Sequence, residues 1–306
     1  MPKKQHLGVR RINSEKKVLV IGSAVIDIVV NIPRLPVSGE DVFSKSQEVI
    51  VGGCAYNVGN ILKQLNASYD LMIPIGNGPN AAHIKEQMNA DDHAPLMHNL
   101  NGDNGWCLSM VEANGERTFL TVPGIENSWK EEWFEKVDFS IYDYIYLSGY
   151  TFEGNSANVL LEQLQNKSKE TAIIFDPSPR VSNINEEDLK ALLKLDTIVH
   201  CNREELLSLS GLDNIEAGAK MIHQQTNNPV VVTLGGEGTL FVQDNISQIC
   251  NGKDVPLIDT IGAGDTHIGA FITALLDGQS IETACTWGND AASQVVQVQG
   301  GNVKLS

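Results

Sequence analysis

Short apolar runs alternate with amphipathic stretches along most of the chain. The runs 18–22, 69–74, 144–147, 171–176, 197–200 and 230–234 are brief and almost continuously apolar, which suits strands buried on both faces. Between them, 55–65, 80–88, 156–165, 186–193 and 215–224 carry apolar residues at helical spacing. Strands and helices in this alternation predict an α/β fold around a mostly parallel sheet. Two segments break the rhythm. Residues 32–51 begin with prolines and continue as a polar, β-compatible stretch without a helical period. Residues 105–122 form two β-rich arms around Asn114-Gly115, a strong hairpin signal because both residues tolerate positive φ. A small accessory sheet from about 32–51 and 103–122, set beside one α/β domain spanning 17–306, is the expected organisation.

Composition narrows the picture. A chain of 306 residues with 42% apolar positions buries a core large enough to need no staples. Its net charge of −16 argues against wrapping nucleic acid or lying on an anionic membrane. Residues 1–17 run the other way, with six basic residues against Glu15. No apolar stretch follows them, so they are not a secretory signal, and 1–16 is read as a disordered, solvated arm. The five cysteines are scattered without a C-x-x-C, which argues against disulfides or zinc and fits a reducing cytosol. The longest apolar run, 18–30, contains Gly22, Ser23 and Asp27 and is too short to span a bilayer. A cytoplasmic protein with neither nucleic-acid nor membrane partners is expected.

The sharpest chemical feature is Asp259-Thr260-Ile261-Gly262-Ala263-Gly264-Asp265-Thr266. It opens a helix whose apolar positions Ile268, Phe271, Ile272, Leu275 and Leu276 repeat at helical spacing. Gly262, Ala263 and Gly264 place unencumbered amides at a helix start, where the dipole favours an anion. A glycine turn followed by Asp is also what an ordinary capped helix looks like.

The stretch resembles the D-T-x-G-A-G-D signature of the PfkB (ribokinase-like) family of carbohydrate and nucleoside kinases. Four further segments match in order, from Val18 to about Gly301. Gly22-Ser23-Ala24-Val25-Ile26-Asp27 resembles the family's first strand with its substrate aspartate. Gly52-Gly53-Cys54-Ala55-Tyr56-Asn57 resembles G-G-x-x-x-N. Asn202-Arg203-Glu204-Glu205 matches N-x-x-E, and Thr233-Leu234-Gly235-Gly236-Glu237-Gly238 matches T-x-G-x-x-G. The resemblance implies a ribokinase-like three-layer α/β/α sandwich with a mostly parallel central sheet, and makes the accessory segments a β-sheet lid over the sugar. It implies ATP and Mg2+ and, in some relatives, a monovalent cation such as K+ near the carbonyls of Asp259 and Ile261. Some relatives pair through their lids as homodimers.

The roles follow residue by residue. Asp265 is the expected general base, with the amides of Gly262, Ala263 and Gly264 as anion hole. Asp27, Gly52, Gly53 and Asn57 suit a polyol, because a carboxylate and an amide each hold two groups and glycines let hydroxyls approach the backbone. Gly52-Gly53 is otherwise just the tight turn before a helix. Gly149 and Trp106 complete the expected substrate set, Trp106 and Tyr150 offering aromatic faces. Asn202, Thr233, Gly235, Gly238 and Asn289 are the expected nucleotide contacts. Glu205 would orient metal-bound water, since magnesium keeps several of its waters; a capping Asn with a solvated Glu is the plain alternative. No G-x-x-x-x-G-K-[ST] is present to supply a P-loop lysine.

Departures from the pattern bear on the acceptor. Cys54 stands where phosphosugar kinases tend to carry lysine, which favours an unphosphorylated sugar or sugar acid, with nucleosides the main rival. Arg117 on the hairpin is an alternative source of positive charge, or simply a solvated residue. His267 replaces a bulky apolar residue and reads as packed or solvent-tipped. Asp176-Pro177-Ser178-Pro179-Arg180 resembles D-x-N-x-R but has Ser178 for the Asn. Gly76-Asn77-Gly78 lacks the usual G-x-D-x-x-G. Two other classes stay in view: a nicotinamide dehydrogenase, for which G-x-G-x-x-G is missing after the first strand, and a catalytically silent sugar binder.

Overall fold

Lys17–Ile21 forms the first strand, β1, and its neighbouring side chains enter two different cores. Val18 and Val20 join one apolar cluster, Leu19 and Ile21 another. A strand buried on both faces has to be apolar at every position, which is why the run 18–21 shows no alternation.

The computed structural model describes residues 11–114, 116–244, 246–300, 304 and 305. The remaining strands are β2 (Val25–Asn31), β3 (Ser46–Gly52), β4 (Ser68–Met72), β5 (Trp106–Val111), β6 (Arg117–Val122) and β7 (Tyr144–Ser148), then β8 (Ala172–Asp176), β9 (Thr197–Asn202), β10 (Val230–Thr233), β11 (Gly238–Gln243) and β12 (Ile246–Asn251). The helices are α1 (Cys54–Gln64), α2 (Pro79–Ala90), α3 (Asn155–Leu164), α4 (Glu186–Leu193), α5 (Arg203–Ser210), α6 (Ile215–Thr226), α7 (Ala263–Leu276) and α8 (Ile281–Val295). None is long and apolar enough to cross a membrane among the described residues.

The large sheet runs β12-β11-β10-β9-β8-β7-β1-β4. Its six strands from β10 to β4 are parallel, and β11 and β12 extend it antiparallel. Helices α1, α2, α7 and α8 cover one face through the first cluster; α3, α4, α5 and α6 cover the other. This is the mostly parallel sheet expected from the alternation, in the three-layer arrangement that the family resemblance implies.

The second sheet has the order β3-β2-β5-β6. The apolar run 18–30 is not one strand. It splits at residues 22–24, so that β1 stays in the large sheet while β2, carrying Asp27, belongs to the small one. The split brings Gly22 against α1, where a Cβ would meet the Ala55 Cβ at 2.7 Å. The accessory segment expected at 32–51 supplies strand only from 46 onward. β5 and β6 pair antiparallel about the Asn114-Gly115 turn, of which Gly115 lies outside the described residues. Two buried polar side chains anchor the base of this sheet. Asn104 bridges the carbonyls of Ala24 and Pro74 and accepts the Gly76 amide. Glu126 accepts the amides of Gly105 and Gly124.

The basic arm ends sooner than its charge suggests. Residues 1–10 lie outside the described residues, but Ile12 is buried, its amide donating to Leu65 and its carbonyl accepting from Asn66.

Candidate active site

The carboxyl ends of parallel strands are where an open α/β sheet presents ligand-binding residues, because the helices leave a crevice there. Here β8, β9 and β10 end in Asp176, Asn202 and Thr233, and β7 is followed by Tyr150. These residues, with Glu205 and the start of α7 at Gly262, Gly264 and Asp265, line an open cleft of about 210 Å³.

Helix α7 begins after Gly262, whose φ of 71° is natural to glycine and turns the chain sharply into the helix. The Ala263 amide closes that turn by donating to the Thr260 carbonyl at 3.2 Å, so it is not free for a ligand. The next amides, of Gly264 and Asp265, lie in the first turn, where no intrahelical acceptor exists. A Cβ on Gly264 would meet nothing within 4 Å, because that position faces the open cleft.

The Asp265 carboxylate accepts the Asn57 side-chain amide at 2.7 Å and the Cys54 thiol. Burial pushes its carboxyl up to about 6 against the pull of those two bonds. Asp27 sits close by. Burial and then the charge of Asp265 push it, too, up to about 6. Its carboxylate lies over the backbone of Gly52, where a Cβ would approach Asp27 Oδ2 to 1.9 Å. Gly53, with φ of 103°, turns the chain into α1, which carries Cys54 and Asn57. Asp27, Gly52, Cys54, Asn57 and Asp265 are thus brought together from the small sheet, α1 and α7.

The other side of the cleft is acidic. Asn202 caps α5, accepting the Glu205 amide at 2.9 Å, and Glu205 in return accepts the Asn202 amide at 2.8 Å. This is a capping box, but its Glu is buried instead of solvated. Burial raises the Glu205 carboxyl, and the charges of Glu204 and Asp265 add to the rise. Asp176 is held well above the usual range, by burial first and then by Glu205 and Asp265. Among the described residues no three His, Cys, Asp or Glu side chains are arranged to hold one metal ion between them.

Beneath the cleft lies a buried polar chain. The Asn289 amide donates to the Cys250 carbonyl at 3.0 Å, which turns its oxygen toward the Thr239 hydroxyl at 2.7 Å. That hydroxyl donates to Asn289 and therefore accepts from His267 Nε2 at 2.8 Å. His267 Nδ1 is then the acceptor for His200 Nε2, at 2.8 Å. Burial lowers both imidazoles, His267 to about 4, and the pair is neutral. His267 is thus a packed core histidine.

Several expected contact residues are not part of the lining of this cleft. Asn289 is spent on the chain just described. Gly238 allows the start of β11 to approach β12, since a Cβ there would come within 2.1 Å of the Cys250 carbonyl, and Gly235 takes the positive φ of the preceding turn. Gly149 is needed by the loop after β8, where a Cβ would strike the Pro177 carbonyl at 1.8 Å. Trp106 pairs with Ile26, one register position from Asp27, so it occupies the opposite face of the small sheet and packs on the core. The residues that share the Asp27 face include Cys107 and Thr121, then Ser109 and Phe119. Phe119 is the exposed aromatic on that face, and strand alternation was the signal that could have found it. Asp176 and His200 are further cleft residues that sequence reasoning did not select. Arg180 is held by Glu153 through two contacts of 2.7 Å, and Arg117 by Asp259 at 2.9 Å.

This cleft lies at the carboxyl edge of the large sheet, and comparison with known proteins gives the family to which the chain belongs. The pfkB family carbohydrate kinase model matches residues 15–306, and the chain belongs to that family. It is 33% identical over 303 residues to the uncharacterized sugar kinase YegV of Escherichia coli K12, covering 97% of this chain and 94% of that one. Among solved structures, the ribokinase of Thermotoga maritima has a TM-score of 0.83 at 23% identity, covering 95% and 96% of the two chains. A Cryptococcus neoformans ribokinase in complex with ADP has a TM-score of 0.77 at 20% identity over 95% and 96%.

Proposed function

We propose that the protein transfers the γ-phosphoryl group of ATP to a hydroxyl of an unphosphorylated sugar or sugar derivative. The observation that carries this reading is the Asp265 carboxylate, held by Asn57 in the first turn of α7 and near enough to Asp27 for its charge to be felt there. A base in that position takes the proton of the attacking hydroxyl as the phosphoryl group moves, while the first-turn amides receive the charge that develops on it. Burial keeps its pKa near 6, basic enough to accept a proton and still ionised at neutral pH. Asp27 and Asn57 hold the acceptor hydroxyls.

The acceptor is read as unphosphorylated because the cleft lining, among the described residues, includes Cys54 but neither Lys nor Arg, and Arg117 is already paired with Asp259. The acidic side suits ATP with Mg2+. Asp176 and Glu205 each hold protons more tightly than usual, because of burial first and then the like charges near them, and a divalent cation relieves that repulsion. Glu205 would hold water of the magnesium shell, and the ion would neutralise phosphate charge.

ATP consumption measured across a panel of sugars, sugar acids, sugar phosphates and nucleosides tests the reading. Turnover with a free sugar and its loss in Asp265→Asn are expected. A preference for nucleosides or sugar phosphates would overturn the acceptor class. No acceptor-dependent turnover across the panel would favour a silent binder.

A further inference from the structure

Arg117 is the first residue of β6 and lies on the Asp27 face of the small sheet. Its guanidinium crosses to the large domain and meets Asp259 Oδ1 at 2.9 Å. That carboxylate is a hub. Oδ1 also accepts the Ile261 amide at 3.0 Å, and Oδ2 accepts the Gly300 amide at 3.1 Å. The Asp259 side chain is only 6% exposed, and its backbone amide is tied to Val296. One buried carboxylate therefore joins the lid, the loop that enters the glycine turn, and the segment after α8.

The monovalent cation implied for this neighbourhood does not fit what is present. Three donors already occupy the Asp259 carboxylate, one of them a full positive charge. A second cation at the adjoining carbonyls would sit beside a guanidinium in a partly desolvated site, where like charges repel strongly.

We propose that Arg117 is a positioning residue of this kinase site, delivering from the lid the positive charge that fixes loop 258–262, so that no added monovalent cation is needed. It acts through Asp259 on the α7 amides and touches no reacting atom. The loop then takes its working shape when the small sheet is closed over the cleft. The anion-hole part of this rests on the kinase reading; the cation part does not.

The test compares wild type, Arg117→Gln and Arg117→Lys in potassium, sodium and tetramethylammonium chloride at equal ionic strength. Two quantities are read: unfolding temperature without nucleotide, and affinity for a non-hydrolysable ATP analogue with magnesium. Wild-type affinity should agree within about 2-fold in the three salts, and its Tm within about 1 °C. Arg117→Gln should weaken nucleotide binding by roughly 5-fold or more in every salt. Arg117→Lys should stay near wild type, because a single N···O contact asks for a charge and not a planar fork. Potassium-dependent binding or stability of the wild type would overturn the proposal. So would an Arg117→Gln protein that matches wild type, or an Arg117→Lys protein as weak as Arg117→Gln. If the Gln variant does not fold, the wild-type salt comparison and the Lys variant still decide. Absence of nucleotide binding by the wild type in all salts would count against the kinase reading, while the nucleotide-free Tm comparison continues to read the cation claim.

Discussion

Asp259 and Asp265 lie six residues apart on either side of one glycine turn, yet their surroundings give them opposite characters. Burial pushes both carboxyls up. At Asp259 the amides of Ile261 and Gly300 and the Arg117 guanidinium outweigh burial and hold it below the ordinary range. At Asp265 the bonds from Asn57 and Cys54 do not, and it stays near 6. The first is a fixed anion that organises structure. The second, without a cationic partner among the described residues, is suited to exchanging a proton. What separates an anchor from a candidate base is the donor set each carboxylate meets, one charged and saturating, the other neutral and sparse.

The contrast can be broken most sharply at Asp265. Asp265→Asn should lower kcat by about 10²-fold or more while nucleotide binding persists. The same variant should stabilise the unliganded protein at pH 7 by about 1–2 kcal/mol, since it removes a carboxylate whose ionised form is disfavoured in the native state. Near wild-type turnover would remove Asp265 from the role of base. At Asp259 the sign of the stability effect reverses. Asp259→Ala strands a guanidinium and two amides, and should cost roughly 2–4 kcal/mol in thermal unfolding. A loss no larger than that of an exposed ion pair would mean the hub is not one.

A pH series sharpens the comparison without mutation. With Asp265 and Asp27 both near 6, kcat/KM should fall at least about 10-fold per unit below pH 6. Stability runs the other way. Both native pKa values lie above the unfolded value of 3.8, so the native state binds the extra protons. Their contribution to stability is full below that value and is lost as pH rises through about 6. In Asp265→Asn this part of the pH dependence of Tm should shrink. The smallest effect is expected at Gly52→Ala, whose methyl displaces the Asp27 carboxylate. Acceptor KM should rise about 5–10-fold with kcat little changed, as for lost uniform binding. A change in nucleotide affinity instead would move Asp27 away from the acceptor.

Local patterns carried a great deal of this. The N-x-x-E spacing at Asn202 and Glu205 is itself the chemistry of a capping box, and it forms as written. The turn at 262–264 is legible because glycine is the residue that takes a positive φ without strain. The apolar runs marked β1, β7, β8, β9 and β10 because fully buried strands have little freedom of composition. Trp106 and Phe119 show where that legibility ends. A strand's register decides which face a side chain occupies, and a shift of one residue reverses it. Asn289 and His267 read as separate features in the sequence, and Thr239 links them into one hydrogen-bonded chain that exists only when α8, α7 and β11 pack. Asp176 stood in a segment that departs from the family pattern, although its place at the end of β8 puts it into the cleft.

By itself the sequence determined the alternation of strands and helices, the family, and the glycine turn with its following aspartate, because each rests on residues close together in the chain. The tertiary structure alone decided which carboxylates stay available. Asp259 is claimed by an arginine 142 residues away, and Asp265 is left with an amide 208 residues away. A carboxylate's charge state depends on what surrounds it in space, and contacts across such distances exist only once the small sheet, the large sheet and α7 have come together.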